Sequence, residues 1–266
     1  MSMKYHIIHH IPSRLFVFFR GSGWYGNYKT WDEASRLTTG YDAENILIKA
    51  ERTLLELKNA SNKQAKQYPW ELLLSLMWIA AQNKGKLNII DFGGALGTAY
   101  YQNKIFFDQL ERIRWNVVEQ PHFVEYGKKK FETDILKFHM SVDDCISQNT
   151  EEIQGVLFGS VLQYLESPYD LLSDVLGKKF KYIVITRTGF TKSQSDRITI
   201  QKVPKNYYNA SYPCWIFSEH KFMNFFNQYG YEPVYYFKDK YQLNLPSEYK
   251  GCLFKLKENE NDIVTG

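Results

Sequence analysis

Hydrophobic and polar positions change rhythm near residue 84. Up to there apolar residues recur at helical spacing or irregularly; from Lys86 onward short apolar runs alternate with stretches of helix length. Thr30-Trp31-Asp32-Glu33 puts a hydroxyl at a helix cap and a glutamate three residues on, a pair that closes free amides of a first turn. A second helix is predicted after Asp42, with Ile46, Ala50, Thr53, Leu54 and Leu57 on one face. A third starts at Pro69, whose missing N–H is tolerated in a first turn, and ends near Gly85. Residues 1–84 are therefore expected to form a helical cap on a main domain of residues 85–266. The cap's aromatics, Trp24, Tyr25, Tyr28, Trp31 and Tyr41, read as core, pocket wall or both.

Seven strands are predicted in the second half, at 87–92, 115–119, 135–140, 155–160, 182–187, 231–237 and 251–256. Segments of helix length, 98–112, 121–130, 142–148 and 168–176, separate the first five, which implies parallel strands joined by right-handed crossovers. A further helix at 218–229 is stopped by Gly230. The last two strands follow with no helix between them, as in an antiparallel hairpin. The expected fold is α/β: a seven-stranded, mostly parallel sheet with a terminal antiparallel hairpin, plus the N-terminal helical cap.

Composition narrows the partners. The formal charge of +4 is small, and its densest patch, Lys128-Lys129-Lys130, falls at a helix C-terminus, where cations complement the dipole. No broad basic stripe of a nucleic-acid binder is visible. Cys145, Cys214 and Cys252 are odd in number and far apart, which predicts neither a disulfide framework nor a metal site and suits a reducing, cytoplasmic setting. The longest apolar run, 72–81, is interrupted by Ser75 and too short to span a bilayer. The first residues, with His9, His10, Pro12 and Arg14, lack the apolar core of a signal peptide.

The most informative segment is Leu87-Asn88-Ile89-Ile90-Asp91-Phe92-Gly93-Gly94-Ala95-Leu96-Gly97: an apolar strand, an acidic residue, a glycine-rich turn and the start of a helix. Gly93 and Gly97 remove side chains where the chain turns and a ligand approaches the backbone. Amides at the helix N-terminus offer unsatisfied donors to a carboxylate or a phosphate. A dinucleotide fingerprint, Gly-x-Gly-x-x-Gly, requires its third glycine at the position held by Thr98. Glu119 closes the second strand 28 positions after Asp91 (119 − 91). A carboxylate there can accept hydrogen bonds from both ribose hydroxyls of an adenosine, or be a surface glutamate at a strand end.

With Ala95 at the middle glycine, the loop resembles the Asp-x-Gly-x-Gly-x-Gly turn of the class I S-adenosylmethionine (SAM)-dependent methyltransferases. Five strand–helix units closed by a hairpin is also their order of elements. More narrowly, the chain resembles a methyltransferase family often encoded among surface-polysaccharide genes. The likeness runs through Gly26 to Ala34, with its Thr30-Trp31-Asp32-Glu33-Ala34 pattern, Gly40-Tyr41-Asp42 with Ile46-Leu47, and Val118-Glu119-Gln120-Pro121. It continues through Ser160-Val161-Leu162-Gln163-Tyr164-Leu165 and Ser211-Tyr212-Pro213-Cys214-Trp215 to the 217–230 helix. The resemblance implies a Rossmann-like fold and SAM as cofactor, held by Asp91, Gly93, Gly94, Ala95 and Gly97, with Glu119 on the ribose. It further implies an adenine site at Ser141 and Asp143, which read equally as helix caps, and Ser160 where sulfonium and substrate meet.

Methyl transfer from a sulfonium is an in-line displacement, so the protein supplies alignment and, for a hydroxyl acceptor, a base. Candidates for the base are His139, His122, His220 and Glu166, each with an alternative as a structural or solvent-exposed residue. Arg187, ending the fifth strand, suits an anionic acceptor or a pairing carboxylate. Residues 188–215 are too many for an ordinary connection and read as an active-site loop carrying Arg197, Lys202, Tyr207, Tyr208, Tyr212 and Trp215, or as packing. With Tyr28 from the cap, Tyr212 and Trp215 are expected to bind the small-molecule or glycan acceptor. The expected activity is metal-independent O-methylation of a sugar or glycan precursor. A non-catalytic SAM-binding module and an NAD-dependent nucleotide-sugar enzyme are the alternatives.

Overall fold

The computed structural model describes residues 21–40, 43–59, 69–204 and 210–258. His9, His10, Pro12, Arg14, Tyr41, Asp42, Tyr207 and Tyr208 from the sequence reading lie outside them. Within the described residues the chain runs β1 (Gly23–Tyr28), α1 (Trp31–Ser35), α2 (Ala43–Asn59), α3 (Trp70–Gln82), β2 (Lys86–Phe92), α4 (Thr98–Phe107) and β3 (Arg112–Val118). It continues with α5 (Pro121–Lys130), β4 (Leu136–His139), α6 (Val142–Gln148), β5 (Gly155–Gly159), a single 3-10 turn (Leu162–Tyr164) and α7 (Pro168–Gly177). Last come β6 (Tyr182–Thr191), β7 (Arg197–Lys202), β8 (Ser211–Ser218), α8 (Glu219–Gln228), β9 (Tyr231–Gln242) and β10 (Ser247–Leu256). No helix of the described residues is long and apolar enough to cross a membrane.

Five strands, in the order β4-β3-β2-β5-β6, pair in parallel. β10 lies antiparallel to β6, and β9 antiparallel to β10. Alternation along the strands feeds two cores, one on each face. Leu87, Ile89, Trp115, Val117 and Leu157 point to one, packed with Leu54 of α2, Leu76 and Ile79 of α3 and Phe123 of α5. Ile90, Val156, Phe158, Ile183 and Phe254 point to the other, packed with Val175 of α7 and Phe222 and Phe226 of α8. Local signals set the helix starts: Ser141 Oγ accepts from Asp144 N at 3.0 Å to cap α6, and Ser218 Oγ accepts from Lys221 N at 3.4 Å to cap α8.

Where seven strands were expected, ten are described. The additional ones are β1, β7 and β8, so the segment read as a long active-site loop is largely sheet. β6 runs on to Thr191 and pairs in parallel with the end of β8; β7 lies antiparallel to β8, and β1 antiparallel to β7. The period-two signal was short because Ile198 and Ile200 are the apolar residues of β7, and they pack under Ala34 of α1 with Trp31 and Trp215 alongside. The described residues before 84 thus attach at two places: β1 and α1 on β7 and β8, with β1 itself an edge strand of the sheet, and α2 and α3 on the main core.

Phe226 is fully buried and stacks on Phe254 with ring centroids 4.1 Å apart, joining α8 to β10. Phe226→Ala is expected to cost about 3–5 kcal/mol in urea unfolding. The exposed Tyr236→Ala should stay within about 0.5 kcal/mol of the parent; equal losses would contradict this packing.

Candidate functional site

β2 has neighbours leading in opposite chain directions, β3 on one side and β5 on the other. In an open α/β sheet the crevice at the carboxyl ends of such strands is where ligands bind. A cavity of about 570 Å³ opens there. Asp91, Gly93, Gly94 and Ala95 form its base, and Thr98, Ala99 and Gln102 of α4 one wall. Gly159, Thr186 and Arg187, at the ends of β5 and β6, form a second wall. The far side comes from the start of α3, with Trp70 and Glu71, and from Phe237 and Asp239 of β9.

The turn after β2 repeats left-handed backbone: Gly93 has φ 71°, Ala95 φ 51° and Gly97 φ 82°. A Cβ on Gly93 would stand 2.6 Å from Val161 Cγ2, and one on Gly94 would collide with the Asp91 carboxylate. Ala95 carries the strain that glycine would avoid. Its amide donates to Glu119 Oε1 at 3.3 Å, while Glu119 Oε2 accepts from Gln120 N at 2.8 Å. The loop and the carboxylate just after β3 are therefore in contact, although Glu119 itself is not among the residues lining the cavity. Burial raises the Glu119 carboxyl above its usual range, opposed by those two amides and by His122.

Asp91 is 2% exposed, and its Oδ2 accepts from Trp115 Nε1 at 3.0 Å. Burial pushes its carboxyl up to about 7; the indole hydrogen bond and the charge of Arg187 act against this, and the charge of Glu119 adds to it.

Other predicted residues are engaged elsewhere. Ser141 caps α6, and the exposed Asp143 pairs with Lys178 Nζ at 2.6 Å. Ser160, at φ 62°, donates its amide to Thr186 O at 3.0 Å. None of the four base candidates lines the cavity. His139 is 3% exposed with both ring nitrogens unpartnered, 3.9 Å from Asp144 Oδ2. His122 is near enough to Glu119 to lower its pKa and has a buried, unpartnered Nε2. His220 is exposed against Asn224, and Glu166 is exposed.

Of the predicted acceptor residues, Arg187 lines the cavity. Trp215 instead donates Nε1 to Leu165 O at 2.9 Å and stacks on Trp31, Tyr212 packs edge-on to Tyr164, and Tyr28 packs with the α1 cluster. The sequence reading missed Trp70, Glu71, Phe237 and Asp239. An available signal was Trp70, an aromatic at a helix start that is 57% exposed.

No family model matches the chain, and no curated protein matches it in sequence. Solved structures do match it in fold. Magnesium protoporphyrin IX methyltransferase of Synechocystis, with bound S-adenosylhomocysteine, superposes with a TM-score of 0.50 at 8% identity, covering 80% of this chain and 97% of that one. A SAM-dependent methyltransferase of Clostridium acetobutylicum gives 0.48 at 7% identity, covering 79% and 100%. The 1,6-didemethyltoxoflavin-N1-methyltransferase of Burkholderia thailandensis, with S-adenosylhomocysteine and 1,6-didemethyltoxoflavin bound, gives 0.43 at 13%, covering 82% and 92%. The chain has the Rossmann-like fold of the class I SAM-dependent methyltransferases.

Two outcomes test this loop. The Asp91 carboxyl is raised in the folded state, so its contribution to stability is full below the unfolded pKa of about 3.9 and is lost as pH rises through about 7. Asp91→Asn should therefore gain stability over wild type at pH 8 and little at pH 4 in denaturant titrations; a gain that does not depend on pH would contradict the buried acid. Ala95→Gly should raise stability by roughly 0.5–1 kcal/mol, the relief of left-handed strain less the extra chain entropy of glycine, measured in the same titrations.

Proposed function

We propose that this chain is a SAM-dependent methyltransferase that O-methylates a sugar or glycan precursor without a metal ion. The observation that carries the cofactor half is the hydrogen bond from the Ala95 amide to Glu119, which joins the glycine turn at the base of the switch-point cavity to a carboxylate beside that cavity. The donor set fits SAM. An ionised carboxylate has about four lone-pair sites, and Glu119 uses two of them on Ala95 and Gln120, leaving acceptors for two ribose hydroxyls. Asp91, bound by Trp115 through one oxygen, suits the ammonium of the methionine part. The first-turn amides of α4, at Thr98 and Ala99, suit its carboxylate. Bound SAM supplies an electrophilic methyl group on a sulfonium.

The rest of the work falls to the chain's own residues: holding the acceptor in line, excluding water and taking the hydroxyl proton. Trp70 and Phe237 offer aromatic faces beside the carboxylates of Glu71 and Asp239. That combination stacks on a sugar ring and accepts from its hydroxyls, and it supports the sugar reading. The same two carboxylates, at the cavity, are assigned the base role in place of His139, His122, His220 and Glu166. A cytoplasmic setting accompanies this reading, in which Cys145, Cys214 and Cys252, all unbridged and buried, stay reduced. A SAM-binding module without turnover is the second reading, favoured by the position of the four base candidates away from the cavity.

Titration calorimetry with S-adenosylhomocysteine tests the cofactor half. Wild type should bind, and Glu119→Ala should lose about ten- to hundredfold in affinity, the worth of hydrogen bonds to a charged group. Failure of wild type to bind at millimolar ligand would sink the proposal. Methyl-labelled SAM incubated with glycan precursors then separates the two readings, since binding without label transfer is the behaviour of the module.

A further inference from the structure

Consecutive residues of a regular strand point to opposite faces, yet Thr186 and Arg187 of β6 both line the cavity. The pairing register with β10 shows why. Lys250 stands opposite Thr188 and Cys252 opposite Ile185, so Thr186 and Arg187 together face Gly251 alone. This is a bulge, the device by which strands re-aim a side chain. Arg187 takes a left-handed φ of 48° within it. Across the sheet, Gly159 of β5 pairs with Thr186, and the next residue, Ser160, is also left-handed.

One side chain ties these two strained residues together. Gln163 is fully buried, and its Nε2 donates to the Arg187 carbonyl and to Ser160 Oγ, each at 3.1 Å. Its Oε1 is buried with no partner. A buried amide with its carbonyl unmet and two non-glycine residues at positive φ all cost stability. What the arrangement holds is the backbone at Arg187, the point from which its exposed side chain reaches the cavity. Its guanidinium makes no ion pair or hydrogen bond with another described residue, and it is the cation among the cavity-lining residues, which also include the carboxylates of Asp91, Glu71 and Asp239.

We propose that Arg187, held in its bulge by Gln163 as a positioning residue, is an anion-binding point for a carboxylate or phosphate group in the cavity. The guanidinium fork matches both groups bidentately. Two sources carry that chemistry: the carboxylate of the cofactor's methionine part, or an acidic group on the acceptor. The inference rests on the methyltransferase reading only in naming the first source.

Inorganic phosphate titrated into free and S-adenosylhomocysteine-loaded protein, beside titration of S-adenosylhomocysteine itself, separates them. If the anion belongs to the acceptor, Arg187→Ala weakens phosphate at least tenfold and leaves S-adenosylhomocysteine affinity alone. If it belongs to the cofactor, Arg187→Ala weakens S-adenosylhomocysteine at least tenfold, and phosphate competes with it on the free wild-type protein. Gln163→Met should reproduce a three- to tenfold part of whichever loss appears and add nothing in the Arg187→Ala background. A merely structural lesion would add to it. Gln163→Glu, of equal size, replaces Gln163→Met if the latter does not fold. Unchanged affinities for both probes in Arg187→Ala overturn the proposal, as do additive losses in the double variant. Absence of S-adenosylhomocysteine binding in wild type refutes the cofactor reading instead, and phosphate on the free protein still decides the anion point.

Discussion

A carboxylate taken out of water needs a compensating donor, and at the end of the central strand that donor is an indole. The hydrogen bond from Trp115 to Asp91 crosses from β3 to β2 beneath the turn. It requires a fully buried tryptophan, which the aromatic packing of Tyr100 and Phe107 from α4 supplies. It also requires a residue without a side chain above the carboxylate, which is Gly94. The shape of the turn, the start of α4 and the approach of the Ala95 amide to Glu119 all follow from where that carboxylate is fixed. One polar contact thus couples the core on one face of the sheet to the base of the cavity.

Much of the fold was legible because its signals are local and redundant. The strands at 87–92 and 155–160 are apolar runs bounded by polar or glycine residues, and the helices at 121–130 and 142–148 begin with Pro121 and Ser141, which act at their N-termini as their chemistry dictates. β7 and β8 were not legible. They pair with each other across residues 203–210, but β7 also takes the distant β1 as its other neighbour and buries Ile198 and Ile200 under Ala34, contacts that no window of ten residues contains. Aromatic and cationic residues in that stretch then looked like a ligand-binding loop, whereas Trp215 is spent on Trp31 and on the Leu165 carbonyl.

The site divides along the same line. The glycine turn and Glu119 are contiguous motifs whose spacing carries their geometry, and they do converge. Asp143 and His139 are read from their nearness in sequence to the third strand, which does not carry side-chain direction: Asp143 pairs with Lys178 at the surface, and His139 lies buried beside Asp144. The far wall of the cavity, from α3 and β9, joins segments about 170 residues apart in the chain (237 − 70 = 167), a juxtaposition that only the tertiary arrangement reveals.

β6 divides its loyalty. Residues 182–186 belong to β5, while residues 190–191 belong to β8. The described residues that follow, 192–204 and 210–216, are therefore joined to the parallel ladder by a two-residue seam. Such a graft can be lengthened, trimmed or swapped during divergence without breaking a single hydrogen bond of β4-β3-β2-β5. The outer margin and the central crevice are thus separate pieces of pairing that meet only at the end of β6.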